Sequence, residues 1–283
     1  MGKMAQMRLQ RFVTYALLLA GVLVVTLPFW YMFITSLKPQ SLIFEMPPRL
    51  FPAEVTLKNY TAALSKDLFG LYFLNSLFVA TASTGLTVIV SSMLAFAFAR
   101  LEFPGKEIIF RVFLVGMMIP PVMLIIPQFI VAKWLGLYNS LFSLIFVYVT
   151  MNLSMQTFLL RGVFEGIPRD LEEAALIDGA GPFRILSQVL VPLMRPALTT
   201  VAILGFMGHW NNFFGPFIYL NKVKLLTAAV GLRFFRTLYG ESQRHTEHLL
   251  MAGTATMTIP VLIIFAAAQQ YFVSGVVMTG LKL

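Results

Sequence analysis

The chain has 283 residues, of which 58% are hydrophobic and 12% are charged, with a formal net charge of +9. A soluble domain has about a quarter charged residues and about half apolar residues, so this composition excludes an ordinary water-exposed surface and predicts a membrane protein. The chain has no cysteine, which excludes disulfides, thiolate catalysis and cysteine-ligated metals. The basic surplus is typical of contact with anionic membrane lipid. The sequence lacks a basic stripe with interleaved aromatic residues, the pattern that would indicate nucleic acid as a partner.

The apolar residues form six long runs with polar segments between them. Charged residues are absent from the interior of these runs except for Lys133, which separates the third run from the fourth. Because a charge at the bilayer centre costs about 2.5–3.5 kcal/mol on insertion scales, the pattern predicts an all-α, polytopic membrane protein with six transmembrane helices in one domain. The domain covers residues 1–283, and the spans are predicted at residues 12–37, 71–99, 112–132, 134–160, 196–221 and 249–272, followed by a tail.

The third predicted span contains a proline cluster, Pro120, Pro121 and Pro127. Each proline removes a backbone N–H, and the carbonyl it frees has to find a partner in a neighbouring helix or in a cavity. Two interpretations follow, a kink needed for packing and a broken helix that lines a path.

A hydrophilic loop, residues 161–195, joins the fourth and fifth spans. Pro168–Ile177 is predicted to form a short helix, since proline suits a first turn and acidic residues near it complement the positive end of the helix dipole. Gly179 suits the left-handed residue that often ends a helix. A second short helix is predicted from Pro182 to Leu190, so the loop forms a compact surface outside the bilayer.

The fifth span carries a group of polar residues. His209 is predicted to be a hydrogen-bonded packing residue. Amides can replace water around sugar hydroxyls and an indole can stack on a sugar ring, so Trp210, Asn211 and Asn212 are candidates for a translocation path. The alternative is that these residues bond neighbouring helices.

Several catalytic and energy-coupling patterns are missing. The chain has no G-x-x-x-x-G-K-[ST], H-E-x-x-H or G-x-S-x-G motif, and no Asp or Glu lies within a predicted span. These absences predict that the chain is not an enzyme, holds no cofactor of its own and is a conduit driven by another protein. An ion-gradient-coupled secondary carrier is the alternative function, and a membrane scaffold without transport is a third.

The loop also contains a specific motif. Glu173-Ala174-Ala175, three residues, Gly179, nine residues and Val189-Leu190-Val191-Pro192 resemble the EAA loop of ABC importer permeases, E-A-A-x3-G-x9-I-x-L-P, with valine at both aliphatic positions. The resemblance extends over nearly the whole chain and is to the carbohydrate-uptake branch, specifically its shorter, MalG-like permeases. Supporting segments are Ser36-Leu37-Lys38, Asn59-Tyr60, Asn75-Ser76, the Ala95–Arg100 segment and Trp210–Phe213.

The resemblance implies a permease subunit of an ATP-driven importer for a sugar or sugar-like solute. It implies four kinds of partner: a second homologous permease, two ATPase subunits that bind MgATP, an extracytoplasmic solute-binding protein and membrane lipid. In the family the EAA loop docks on the cytoplasmic ATPase, which would place both termini in the cytoplasm of a multi-pass inner-membrane protein. Counts of Lys and Arg, 11 on that side and 10 on the other, barely decide the orientation. The implied coupling residues are Glu173, Ala174, Ala175, Asp178, Gly179 and Ala180.

Two further contacts are implied by the resemblance. The outer loop Asn221–Glu247 is expected to reach the binding protein, or alternatively to anchor its basic residues at lipid headgroups. The C-terminal tail, with Thr279, Gly280 and Leu281, is expected to contact the ATPase dimer, or alternatively to finish the sixth helix. Such permeases handle maltooligosaccharides, trehalose, other disaccharides and glycerol 3-phosphate, and the sequence does not choose among these solutes.

Overall fold

The structure, a computed structural model, describes residues 3–47, 49–66, 68–233 and 246–280. Within these residues the regular structure is entirely helical, so the predicted all-α class is confirmed. Two 3-10 turns lie at Gln40–Leu42 and Val223–Leu225. The helices are α1 (Lys3–Leu37), α2 (Lys58–Lys66), α3 (Phe69–Arg100), α4 (Lys106–Met118), α5 (Pro121–Trp134), α6 (Leu141–Glu165), α7 (Asp170–Ile177), α8 (Pro182–Leu193), α9 (Arg195–Trp210), α10 (Phe214–Tyr219) and α11 (Glu247–Gly280).

Among the described residues, four helices are long and apolar enough to cross a bilayer. They are Met7–Leu37 of α1, all of α3 and α6, and Glu247–Gln269 of α11. Two bent pairs, α4 with α5 at 108° and α8 with α9 at 82°, raise the number to six if each pair forms one span. The apolar runs thus form helices, and the third run breaks at its proline cluster.

Several predicted boundaries differ from the helices that form, including the following three. The fourth span was expected from residue 134, but α6 begins at Leu141 because Gly136 and Asn139, with φ of +72° and +54°, place left-handed turns before it. The fifth span breaks after Trp210, where α9 ends, and continues as α10. The last helix continues past residue 272 to Gly280.

The break between α4 and α5 follows from two successive prolines. The residue before a proline is driven out of the helical region by the proline ring. Ile119 therefore has ψ of 120°, and Pro120, which precedes Pro121, has ψ of 130°. Pro121 then starts α5 at a position where its missing N–H costs nothing.

Chain contacts divide the molecule into two units, Met1–Gly70 with Gly231–Ile259 and Leu71–Val230 with Pro260–Leu283. In the first unit, the end of α1 is capped by a side chain of α2. The final carbonyls of a helix have no partner within it, and Asn59 Nδ2 donates to the carbonyls of Ser36 and Lys38, both at 2.8 Å. The buried Lys38 Nζ lies 2.8 Å from Glu45 Oε1. Two segments that carried the sequence resemblance therefore meet at one helix end.

In the second unit, the first turns of α3 hold the segment that follows α10. Asn75 Nδ2 donates to the carbonyls of Lys224 at 2.9 Å and Leu226 at 3.0 Å. Ser76 Oγ accepts from the N–H of Ala228 at 2.8 Å. Polar side chains thus satisfy backbone groups of an irregular segment that would otherwise be buried without partners.

Candidate functional site

The loop between α6 and α9 consists of α7 and α8, as predicted. Three acidic residues, Asp170, Glu172 and Glu173, occupy the first turn of α7, where the helix dipole favours negative charge. The helix begins at Asp170, two residues later than predicted. Helix α8 contains a π turn at Ile185–Leu190, in which the Val191 N–H reaches the carbonyl of Leu186.

The end of α7 explains the glycine of the EAA-like motif. Gly179 has φ of +79°, and its N–H donates to the Leu176 carbonyl at 3.0 Å. The N–H of Ala180 donates to the Ala175 carbonyl at 2.9 Å. These two bonds form a Schellman motif, which requires a left-handed residue at the position of Gly179. The glycine therefore sets the turn between α7 and α8.

The inward side of this loop packs on the ends of α3 and α6. Ala180, Ile185, Leu186 and Leu190 are buried in one apolar cluster, against which Ala175 packs as a half-buried residue. The remaining buried members of the cluster are Ala95, Phe96, Ala99, Leu160, Phe164, Met194 and Val201. Of the six predicted coupling residues, two therefore face the protein interior.

The other four predicted coupling residues, Glu173, Ala174, Asp178 and Gly179, are exposed. Large apolar side chains lie exposed beside them, and Ile177 is 87% exposed. The others are Leu171, Leu176 and Phe183. Exposed apolar side chains grouped on a surface mark a site of interaction with another protein or with a membrane.

An ion pair that the sequence analysis missed ties α7 to α3. Arg100 Nε at the end of α3 lies 2.5 Å from Glu172 Oε1, and the two side chains are only 6% and 13% exposed. Arg100 Nη2 also donates to the Ile167 carbonyl at 2.7 Å. The sequence signal was present, since a basic residue ended the second run and two adjacent glutamates lie in the first turn of α7. Only one of those glutamates faces outward.

A polar cluster inside the bundle surrounds His209. Its Nδ1 lies 3.2 Å from Thr84 Oγ1, and its Nε2 lies 3.2 Å from Asn152 Nδ2. Because the amide nitrogen is a donor, Nε2 accepts and Nδ1–H donates to the threonine. The ring also stacks on Tyr148 at 4.8 Å between centroids. His209 is thus a hydrogen-bonded packing residue, as predicted.

The three candidate path residues lie in different surroundings. Trp210 is 1% exposed and packs against Phe73 and Phe206, with ring centroids 5.3 and 5.7 Å away. Asn211 is exposed, and its Nδ2 donates to the Met207 carbonyl. Asn212 lines a cavity beside α10. The path role of these residues stays a prediction.

Two other sets of predicted contacts are only partly within the described residues. In the outer loop Asn221–Glu247, residues 234–245 lie outside them. Thr279 and Gly280 end α11, and Leu281 lies outside the described residues.

Comparison with known proteins finds a matching family model, similar permeases and a similar solved structure. Residues 87–277 match the family model described as binding-protein-dependent transport system inner membrane component, a range that contains α7 and α8. The chain is 34% identical over 257 residues to the trehalose transport system permease protein SugB of Mycobacterium tuberculosis, covering 90% of this chain and 92% of the relative. It is 34% identical over 272 residues to the sulfoquinovosyl glycerol transport system permease protein SmoH of Agrobacterium fabrum, covering 96% and 93%.

A third relative, the diacetylchitobiose uptake system permease protein NgcG of Streptomyces coelicolor, is 33% identical over 269 residues, with 93% of this chain and 86% of the relative covered. Among solved structures, a chain of a bacterial ABC transporter for import of the acidic polysaccharide alginate superposes with a TM-score of 0.81. That superposition covers 94% of this chain and 97% of the other at 24% sequence identity, so it establishes a shared fold.

Proposed function

This chain belongs to the family of binding-protein-dependent transport system inner membrane components, and from that premise we propose how its described residues take part in transport. The chain is a permease subunit of an ABC importer for a sugar or sugar-like solute. The family match and the sugar-permease relatives favour this function over an ion-coupled carrier. ATP hydrolysis belongs to separate ATPase subunits, and this chain converts their movement into a change of access to the path.

The α7–α8 loop is the proposed coupling surface. The observation that carries this assignment is its two-sided structure. One side is buried against α3 and α6 and fixed by the Arg100–Glu172 ion pair, and the other exposes Glu173 beside Leu176 and Ile177. A surface that is rigidly joined to membrane helices can transmit a push from a docked subunit to those helices.

The proposed assembly contains this chain, a second homologous permease, two ATPase subunits and an extracytoplasmic binding protein. One structural neighbour, with a TM-score of 0.63 and 15% identity, is a bacterial alginate ABC transporter in complex with an alginate pentasaccharide-bound periplasmic protein. We place the α7–α8 loop and both termini in the cytoplasm, the Asn221–Glu247 loop at the binding protein and the tail beyond Val277 at the ATPase subunits.

The relatives suggest the class of solute. Their names specify trehalose, diacetylchitobiose, sulfoquinovosyl glycerol and arabinooligosaccharides, all of which contain sugar rings. We propose a di- or oligosaccharide, with Asn211 and Asn212 facing the path and Trp210 supporting its wall.

The coupling assignment is tested by reversing one charge in the assembled complex. Glu173→Lys should abolish most binding-protein-stimulated ATP hydrolysis and sugar uptake in proteoliposomes, because the carboxylate is exposed and available to donors on the ATPase, where such a bond contributes about 1.5–3 kcal/mol. Glu102→Lys is the matched control, since Glu102 lies in the loop after α3 with its side chain 82% exposed. Equal activity of both variants in fully assembled complexes would contradict the assignment.

A further inference from the structure

A cavity of about 490 Å³ lies among α5, α6 and α10, within the second unit. Its size falls in the range of pockets that hold small organic molecules. Its wall is mostly apolar with a few polar groups, and the residues used below are Tyr148, Met151, Asn212, Gly215, Ile218 and Tyr219.

Tyr148 is the chemically unusual residue of this wall. Its side chain is 3% exposed, and its hydroxyl has no hydrogen-bond partner among the described residues. A buried hydroxyl without a partner costs about 1–3 kcal/mol, and such groups are rare in native structures. The ring is held in place by its parallel stacking on His209. A fixed donor without a protein partner therefore lies at a cavity wall.

The backbone of α10 approaches this hydroxyl closely at Gly215. A Cβ atom at Gly215 would lie 3.2 Å from Tyr148 Oη and 3.1 Å from Asn212 Oδ1, which is closer than ordinary packing allows. Asn212 Oδ1 accepts from the Gly215 N–H at 2.8 Å, which fixes the amide group at the same place. The glycine thus lets the α10 backbone and two polar side chains come together at the cavity wall.

Tyr219 on the same wall provides a contrast. Its hydroxyl donates to the Ile125 carbonyl at 2.9 Å and so has a partner within the protein. The cavity therefore holds one tyrosine hydroxyl that serves the fold and one that does not. Tyr219 can therefore serve as a structural control for Tyr148.

We infer that this chain itself binds a pyranose ring of the transported sugar in the α5–α6–α10 cavity, with the Tyr148 hydroxyl and the Asn212 amide as its polar contacts. The inference rests on the proposed function. Phenol and amide groups exchange hydrogen bonds with sugar hydroxyls, while aromatic and aliphatic walls cover the apolar faces of the ring. A lipid tail, the competing occupant, has no group for the Tyr148 hydroxyl.

The test uses the absence of cysteine from the chain. Met151→Cys places one thiol on the cavity wall, and Ile218→Cys is the second position if the first variant does not assemble. The complete complex in proteoliposomes is treated with a hydrophilic maleimide, alone and with trehalose, diacetylchitobiose or an arabinooligosaccharide in turn. We expect a sugar that the complex takes up to slow labelling at least fivefold.

The Tyr148→Phe and Tyr219→Phe variants are compared in the same cysteine background. Tyr148→Phe should raise the sugar concentration for half-protection about fivefold to tenfold, as expected for one hydrogen bond. Tyr219→Phe should leave that concentration unchanged and lower the melting temperature. Absence of protection by a transported sugar, equal shifts in both variants, or a thiol that never reacts because lipid fills the cavity would each overturn the inference.

Failure of the proposed function gives a different result. A complex that takes up none of the sugars and whose ATP hydrolysis does not respond to binding protein contradicts the proposed function and the inference together. A complex that transports a sugar without protecting the thiol contradicts only the cavity assignment.

Discussion

Gly179 shows how one residue sets the shape of the coupling surface. Nothing lies within 4 Å of a Cβ built there, so the cost of a side chain is backbone strain alone. Because φ is +79°, Gly179→Ala should lower the stability of the complex by about 1 kcal/mol. Gly181→Ala is the matched control, since Gly181 also has open space but has φ of −76°. Melting temperatures of the purified complexes check this, and equal values would contradict it.

Breaking the Arg100–Glu172 pair is predicted to lower the stability of the complex more than breaking a solvent-exposed pair would. Removing one member of a buried ion pair leaves an uncompensated charge, which costs roughly 3–5 kcal/mol. Glu172→Met should therefore lower the melting temperature and the stimulated ATPase rate strongly, and Arg100→Met/Glu172→Met should recover much of the stability.

The Glu102–Lys106 pair is the control for this prediction, since the Glu102 side chain is 82% exposed while that of Lys106 is 13% exposed. Its contribution should be at most about 1 kcal/mol because water screens the exposed carboxylate. A Glu172→Met variant no less stable than Glu102→Met would show that the ion pair does not hold α7.

Glu45 makes the loop after α1 sensitive to acid. The hydrogen bond from Lys38 Nζ lowers the pKa of the Glu45 carboxyl below its ordinary value. A carboxyl whose pKa is lower in the folded state stabilises the fold above its unfolded pKa, about 4.3, and this contribution is lost as pH falls through the folded value. The melting-temperature difference between wild type and Glu45→Gln should therefore be largest near neutral pH and shrink below pH about 4. A difference that does not change with pH would contradict the role of the carboxylate.

At the scale of elements, hydrophobic runs and loop motifs predicted the helices well. Both signals depend on residues that are close together in the sequence. The sequence predicted helix α7 (Asp170–Ile177) and its left-handed end at Gly179, because acidic residues in a first turn and a glycine after a last turn are signals carried by neighbouring residues. The ion pair of Glu172 and the burial of Trp210 depend on residues from distant helices. The motif singles out Glu173, but no local pattern predicts that Glu172 pairs with Arg100 of α3, so sequence alone could not assign the role of Glu172.

The α4–α5 break should depend on the two prolines that impose it. Pro120→Ala/Pro121→Ala removes both steric constraints and should straighten the 108° bend toward a continuous helix. Spin labels at Val112→Cys and Ile130→Cys report the change as a longer distance by pulsed electron resonance. Pro127→Ala is the control, since α5 continues through Pro127. An unchanged distance would mean that packing, not proline, fixes the bend.

For the whole molecule, the proposed orientation makes opposite predictions for two exposed residues. Glu102 follows α3 on the side of the coupling loop, and Leu57 precedes α2. In intact cells, Leu57→Cys should react with a membrane-impermeant maleimide, and Glu102→Cys should react only after the membrane is opened. The near-equal charge counts of the two sides make this measurement decisive, and the reverse labelling would invert the assignment.

The bonds from Asn75 to the segment after α10 also fix an order of events during synthesis. The partners lie 149 and 151 residues later in the chain, at Lys224 and Leu226. The ribosome must therefore complete α4 to α10 before the start of α3 acquires these bonds. Until then, the Asn75 amide is without these two partners, and a chain that ends before Lys224 cannot form either bond.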